Sequence, residues 1–220
     1  MVKLPFRDRA EAGRLLAAEL VRRKLPANVI VLALPRGGVP VGFEVAKALH
    51  APLDVLVVRK VGVPWQPELA MGAIAGKSEQ VLNQDLIAEL RISQKEVDAA
   101  LVKERAELER REKLYRRGRP PLELRARTAL LIDDGLATGS TMLVAARYAR
   151  TLKPAKTIIA VPVASIEASD RLKEEADDFV CLATPALFFA VGEWFMDFRQ
   201  VNDAEVQRLF EESRLSAVKA

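Results

Sequence analysis

The chain has 220 residues, half of them hydrophobic and 5% aromatic, with a net charge of +4. That length and apolar fraction suffice for one well-buried, aliphatic α/β domain. The small, evenly mixed charge excess gives little support to nucleic acid as a partner and suits a small anionic ligand equally well. A single cysteine, Cys181, and a single histidine, His50, exclude a disulfide framework, a thiolate zinc site and a triad that needs a second histidine.

In chain order, Asp8 and Glu11 have the spacing of a capping box and open a predicted helix over residues 9–23, with Leu15, Leu16, Leu20 and Val21 on one face. A first strand is predicted at 29–34, followed by Pro-Arg-Gly-Gly at 35–38 and a helix over 41–49 whose C-terminal end suits His50. A second strand is predicted at 53–58, ending on Arg59 and Lys60. The Pro- and Gly-bearing stretch from Val61 to Gly72 comes next, and then a short hairpin turning at 76–78. Residues 83–119 break the strand–helix rhythm. Ser93 and Glu96 open a long polar helix with a thin apolar stripe (Val97, Leu101, Leu108, Leu114), which Arg119-Pro120-Pro121 ends. Such a helix lies across the domain or meets another subunit. Its Arg110, Arg111, Arg116, Arg117 and Arg119 make either a nucleic-acid-binding arm or, with the interleaved glutamates, a solvated face, and the composition favours the solvated face. Further strands are predicted at 128–132, 157–164 and 178–183, with helices at 140–152 and 165–176. Asp203 is expected to cap a last helix with Val206, Leu209 and Phe210 inward. Cys181 falls in an apolar run and reads as a small core residue. Alternation of strands and helices implies a mostly parallel sheet with helices on both faces. No leader peptide and no run of about eighteen apolar residues is present, so a soluble, cytoplasmic protein without a membrane partner is expected.

The stretch Ala-Leu-Leu-Ile-Asp-Asp-Gly-Leu-Ala-Thr-Gly-Ser-Thr, residues 129–141, carries the most chemical information. An unbroken apolar run ends on two carboxylates, Asp133 and Asp134, at the carboxyl edge where open α/β sheets bind ligands. Gly135, Ala137, Gly139 and Ser140 keep the following loop bare. Thr138, Ser140 and Thr141 add hydroxyls at a helix start whose N–H groups and dipole favour a phosphate. Carboxylates repel phosphate but accept hydrogen bonds from sugar hydroxyls or hold Mg²⁺. Together these parts describe a pocket for a phosphorylated sugar. Pro35, Arg36, Gly37 and Gly38 make a second anion site by the same logic, with Arg36 able to fork onto a pyrophosphate oxygen.

The string at 129–141 resembles the phosphoribosyl pyrophosphate (PRPP) motif of type I phosphoribosyltransferases. The resemblance extends through Pro-Arg-Gly-Gly and Arg59-Lys60, in the family's order. It implies a single domain over 1–220: a mostly parallel five-stranded sheet flanked by helices, a small hood at about 184–203 and a helical insertion at about 83–119. It further implies that Asp133 and Asp134 hold the ribose hydroxyls and, through water, Mg²⁺. Gly135, Leu136, Ala137, Thr138, Gly139, Ser140 and Thr141 would hold the 5′-phosphate, and Pro35, Arg36, Gly37, Gly38, Arg59 and Lys60 the pyrophosphate. In the family the loop after Lys60 is a mobile lid, with Gln66 and Glu68 as polar contacts here, and the bond Pro35–Arg36 is the position of a non-proline cis peptide. The hood would offer Trp194, Phe195 and Asp197 to the acceptor. Ala137 stands where 6-oxopurine members carry an acid, which argues against a hypoxanthine or guanine enzyme of the usual design. The expected reaction is transfer of the phosphoribosyl group from Mg²⁺-PRPP to a nitrogen nucleophile, a nucleobase, in a homodimer. The alternative is a non-catalytic PRPP-binding regulator.

Overall fold

The computed structural model describes residues 2–76, 79–116, 119–120 and 122–218. Its centre is a five-stranded sheet, all parallel, built from β1 (Val29–Ala33), β2 (Leu53–Val55), β6 (Thr128–Ile132), β7 (Lys156–Val163) and β8 (Asp178–Ala183) in the order β2-β1-β6-β7-β8. β1 and β6 are buried along their whole length, which is why they read as continuous apolar runs. Their register pairs Ala33 with Ile132, so the residues that follow, 34–38 and 133–141, leave the sheet side by side. Helices α1 (Arg9–Arg22), α2 (Gly38–Leu49) and α7 (Asp203–Val218) supply residues to the core on one face of this sheet. α5 (Ser140–Thr151) and α6 (Ile166–Lys173) supply those on the other.

The capping box at α1 forms, with one change: Asp8 accepts the Glu11 amide (2.7 Å), but the Glu11 carboxylate takes the amide of Arg7 and not that of the cap residue. α2 begins three residues earlier than expected and ends on His50 in the left-handed region (φ 50°). α7 is capped by Asn202, whose side chain accepts the Glu205 amide (2.9 Å). The predicted cap Asp203 is already helical and takes the Tyr115 hydroxyl instead (2.6 Å). Val206, Leu209 and Phe210 are buried as expected. Cys181 donates to the Ala183 carbonyl, and burial pushes its thiol up to about 11, so it is an unreactive packing residue.

The predicted strand 53–58 is two strands in two sheets. β2 stops at Val55, and after Leu56 and Val57 the chain enters β3 (Val58–Val63), which pairs antiparallel with β4 (Gln66–Ala75), itself paired with β5 (Glu79–Leu82). Leu56 and Val57 are both buried but in opposite core clusters, so the apolar run records burial while the chain changes sheet. The predicted hairpin forms between β4 and β5, whereas Lys77 and Ser78 of its turn lie outside the described residues. The stretch that the resemblance makes a mobile lid loop is the β3–β4 hairpin, with Trp65 exposed at its tip.

The insertion forms α3 (Gln84–Glu89) and α4 (Gln94–Arg116), and the Ser93/Glu96 box opens α4 as predicted. α4 lies across the domain, packing on β3, β4, β2 and α7. Its buried stripe is Val97, Leu101, Leu108 and Tyr115, the last in place of the half-buried Leu114. Arg110 and Arg111 both bond Glu107, holding that carboxyl down to about 2. Arg116 forks onto Asp54 (3.1 and 3.0 Å), and Arg119 caps the Leu53 carbonyl (2.8 Å). These pairings favour a self-neutralised face over a nucleic-acid arm; Arg117 and Pro121 lie outside the described residues. Asp54 is buried, so Asp54→Ala leaves two guanidinium groups without their counter-charge. Urea unfolding should register a loss of about 3 kcal/mol. A loss below about 0.5 kcal/mol would place the ion cluster among surface pairs of no consequence. Among the described residues, no helix is long and apolar enough to cross a membrane.

Candidate active site

The buried run of β6 ends at Ile132, and the next two side chains are carboxylates at the rim of a dry layer. Asp134 is 9% exposed. Burial raises both carboxyls, Asp133 well above the ordinary value with the neighbouring Asp134 charge adding to the effect. The two differ in support. Asp133 accepts the amide of Asp134 (2.9 Å). Asp134 Oδ2 accepts Nε of Arg9 at 2.7 Å, which counters the effect of burial on that carboxyl.

Arg9 was not among the residues singled out by sequence. It is the first residue of α1, where the helix dipole disfavours a cation, and that is its only local signal. Its guanidinium lies 3.8 Å over the Phe198 ring, and Nη1 donates to the Arg199 carbonyl (2.8 Å).

Because β1 runs beside β6, the Pro-Arg-Gly-Gly loop lies against the acidic pair. A Cβ on Gly37 would stand 2.6 Å from Cγ of Asp134 and closer still to Oδ2; one on Gly38 would stand 2.7 Å from the Ile132 carbonyl oxygen. Glycine is required here by close approach, not by dihedral angle. The Pro35–Arg36 bond is cis. The Arg36 side chain is drawn to Asp203, at 3.6 Å.

Residues 135–141 divide into an anchored and an open part. Leu136 is buried. Its amide donates to the Val163 carbonyl (3.0 Å) and its carbonyl accepts the Ser165 amide (2.9 Å), so this one amide of the loop is engaged with the end of β7 and turned away from a phosphate. Ser165 holds the next carbonyl too, that of Ala137 (2.6 Å). It is a second residue that no motif announced. The open part is Ala137, Thr138 and the start of α5. Thr138 and Ser140 share a hydroxyl contact (3.1 Å). Gly139, the N-cap, is left-handed (φ 69°) and supplies no side-chain cap, and the first turn, which includes Thr141, carries no acid. That is a helix N-terminus suited to an anion, where an ordinary cap would have an Asp or Ser oxygen.

Arg59 and Lys60 do not end a strand of the parallel sheet. They sit on β3, opposite Ile74 and Ala73, with Arg59 bound to Glu104 of α4 (2.9 and 2.7 Å) and Lys60 exposed. Gln66 and Glu68 are exposed on β4. The hood segment reaches the acidic loop through a short 3-10 turn at Val191–Trp194: Val191 packs where a Gly135 side chain would be, its Cγ1 2.6 Å from that Cβ position. Trp194 stacks obliquely on Phe188 (5.9 Å), and its indole N–H has no partner among the described residues. Phe195 is buried between Phe6 (5.5 Å) and Phe198 (5.1 Å), a core position and not a ligand-facing one. Asp197 is paired with Arg199 (2.8 Å). A cleft of about 570 Å³ opens beside Arg9, bounded by Pro40, Asp197, Arg199 and Glu205.

Among the described residues no group of three or more His, Cys, Asp or Glu side chains could cage a metal. Two hard carboxylates fit Mg²⁺, which keeps most of its ligands from water and substrate phosphates.

The family model for the phosphoribosyl transferase domain matches residues 7–194. Proteins provisionally named phosphoribosyl transferases in two Mycobacterium tuberculosis strains, CDC 1551 and H37Rv, are each 50% identical over 201 residues, 91% of this chain. The chain spans 45% of the length of those relatives. The crystal structure of TT1426 from Thermus thermophilus superposes with a TM-score of 0.80 at 42% identity, covering 95% of this chain and 99% of that one.

Proposed function

The chain belongs to the phosphoribosyl transferase domain family, and from that premise we propose that it transfers the 5-phosphoribosyl group of PRPP to a nitrogen of a nucleobase. The observation that carries this reading is the contact between Gly37 and the Asp134 carboxylate. The Pro-Arg-Gly-Gly loop, two carboxylates and a helix start without a side-chain cap at its N-cap residue thus share one edge of the sheet, which supports a reading as the site of a sugar with phosphates at both ends. In this reading the hydroxyls of Thr138, Ser140 and Thr141 and the start of α5 hold the 5′-phosphate as a handle, so that remote binding energy positions C1. Asp133 and Asp134 accept the ribose hydroxyls, and their charge favours a cationic sugar in the transition state. The bond from C1 to the pyrophosphate oxygen breaks, a bond from C1 to nitrogen forms, and the acceptor's proton passes to solvent. Mg²⁺, held by Asp133 and Asp134 through water, would neutralise pyrophosphate. Among the motif's cations Lys60 is exposed, whereas Arg36 would turn from Asp203 and Arg59 from Glu104 to assist it. The engagement of these two arginines favours the second reading, a PRPP-binding regulator without turnover.

Pyrophosphate release from Mg²⁺ and PRPP, measured with single purine and pyrimidine bases, separates the readings. Release that depends on one base is expected. Stabilisation by PRPP with no release from any base would favour the regulator, and neither response would remove the phosphoribosyl reading.

A further inference from the structure

We propose that Arg9 is a positioning residue that fixes Asp134 against the Gly37 loop and registers the hood to it, so that one guanidinium aligns the ribose and acceptor halves of the site. The proposal rests on the phosphoribosyl reading above for its ligand but not for its geometry.

The two halves come from opposite ends of the chain. Phe6 and Arg7 are laced to the hood by main-chain bonds: Phe6 donates to the Trp194 carbonyl (2.8 Å), Met196 to Phe6 (2.7 Å) and Asp197 to Arg7 (2.9 Å). This lacing ends at the start of α1, where the Arg9 side chain crosses to β6. The ion pair it makes with Asp134 is nearly enclosed, the side chains being 11% and 13% exposed. Oδ2 of Asp134 is held between Arg9 and the space that a Gly37 side chain would fill, so the carboxylate has little freedom to rotate. The same guanidinium uses a different nitrogen for the Arg199 carbonyl and its face for Phe198. Only a planar, multiply donating cation makes all three contacts at once; lysine has one nitrogen and no face. A cation at the first position of a helix works against the dipole, so local helix stability does not account for its presence. The other charged groups close by are Asp133 on the same loop, Asp197 with Arg199 on the hood, which neutralise each other, and Asp8 and Glu205 on the wall of the cleft. Arg9 is thus the link between the acidic pair and residues 198–199.

This division of contacts predicts a split between two variants. The chain has two tryptophans, so a Trp65→Phe background leaves Trp194 as reporter of the hood. Acrylamide quenching of Trp194 is measured without ligand, and PRPP affinity from thermal shift in the presence of Mg²⁺. In Arg9→Gln, affinity should fall about tenfold or more and quenching should rise. In Arg9→Lys, one nitrogen suffices for Asp134, so affinity should return to within about threefold of the parent while quenching stays at the Arg9→Gln level. Parent affinity in Arg9→Gln would overturn the proposal. So would equal loss of both properties in the two variants, the mark of a merely structural residue, or parent-like quenching in Arg9→Lys. Should Arg9→Gln fail to fold, Arg9→Lys alone still decides, because the split occurs within it. A parent protein that PRPP does not stabilise would remove the phosphoribosyl reading instead, and parent-like quenching of Arg9→Lys would then still refute the link to the hood.

Discussion

Asp133→Asn should reduce base-dependent pyrophosphate release at least about a hundredfold, the scale of losing a charge placed against a developing cation, while its melting temperature equals or exceeds that of the parent. Asp134→Asn should lose turnover to a similar extent and also melt lower. The asymmetry follows from the partners of the two carboxylates. Asp133 is half-buried beside a second acid, and the loss of hydration there pushes it well above the ordinary carboxylate range. A carboxyl whose value is raised on folding is tolerated when protonated and becomes a burden as the pH climbs from the ordinary value through the raised one. At neutral pH an amide of the same shape removes that burden. Asp134 is raised less decisively because Arg9 opposes the effect of burial, and its replacement leaves a nearly enclosed guanidinium facing an uncharged amide. Thermal melts of both variants at pH 5 and pH 8 check the sign: the advantage of Asp133→Asn over the parent should be larger at pH 8. An advantage that is equal at both values, or a loss, would mean that Asp133 is charged and well supported in the folded protein. Normal turnover in either variant would remove the ribose role from that residue.

What the sequence discloses and what it conceals have one cause, the range of the interaction. The parallel strands are legible because burial on both faces of a sheet demands unbroken apolar runs, and residues 29–33 and 128–132 are such runs. The loop at 133–141 is legible because a phosphate-sized turn, two acids and a bare helix start are all local requirements. The break after Val55 is concealed because Leu56 and Val57 are as apolar in their two separate clusters as they would be in one strand. Asn202 and Asp203 are both competent caps and adjacent, so composition cannot choose between them. The engagement of Arg59 is concealed because its partner, Glu104, lies 45 residues later. Arg9 pairs with a carboxylate 125 residues away, and no local pattern encodes a partner at that distance. Thus the part of the candidate site built from backbone and short polar side chains is written locally, and the part that orients it depends on the assembled fold.

That difference in range gives Gly37 its large expected effect. Gly37→Ala should weaken PRPP binding about a hundredfold, roughly 2.7 kcal/mol, and destabilise the protein by about 2–3 kcal/mol, the usual cost of forcing a methyl into a filled interior. The three heavy atoms nearest to the added Cβ are Oδ2, Cγ and Oδ1 of Asp134. The carboxylate cannot swing aside while Arg9 holds Oδ2, and Gly37 lies one residue before α2, whose first turn is packed against Ile132 and Asp133. Either the ion pair breaks or the start of α2 shifts away from β6, and both separate the Pro-Arg-Gly-Gly loop from the acidic pair. These three nearest atoms all lie beyond Cβ of Asp134, so the cause can be isolated. In an Asp134→Ala background, adding Gly37→Ala should cost less than about 0.5 kcal/mol by urea unfolding, a strong departure from additivity. An undiminished cost in that background would locate the problem in the loop's own backbone, and the contact between the two motifs would lose its place as the organising feature of the site.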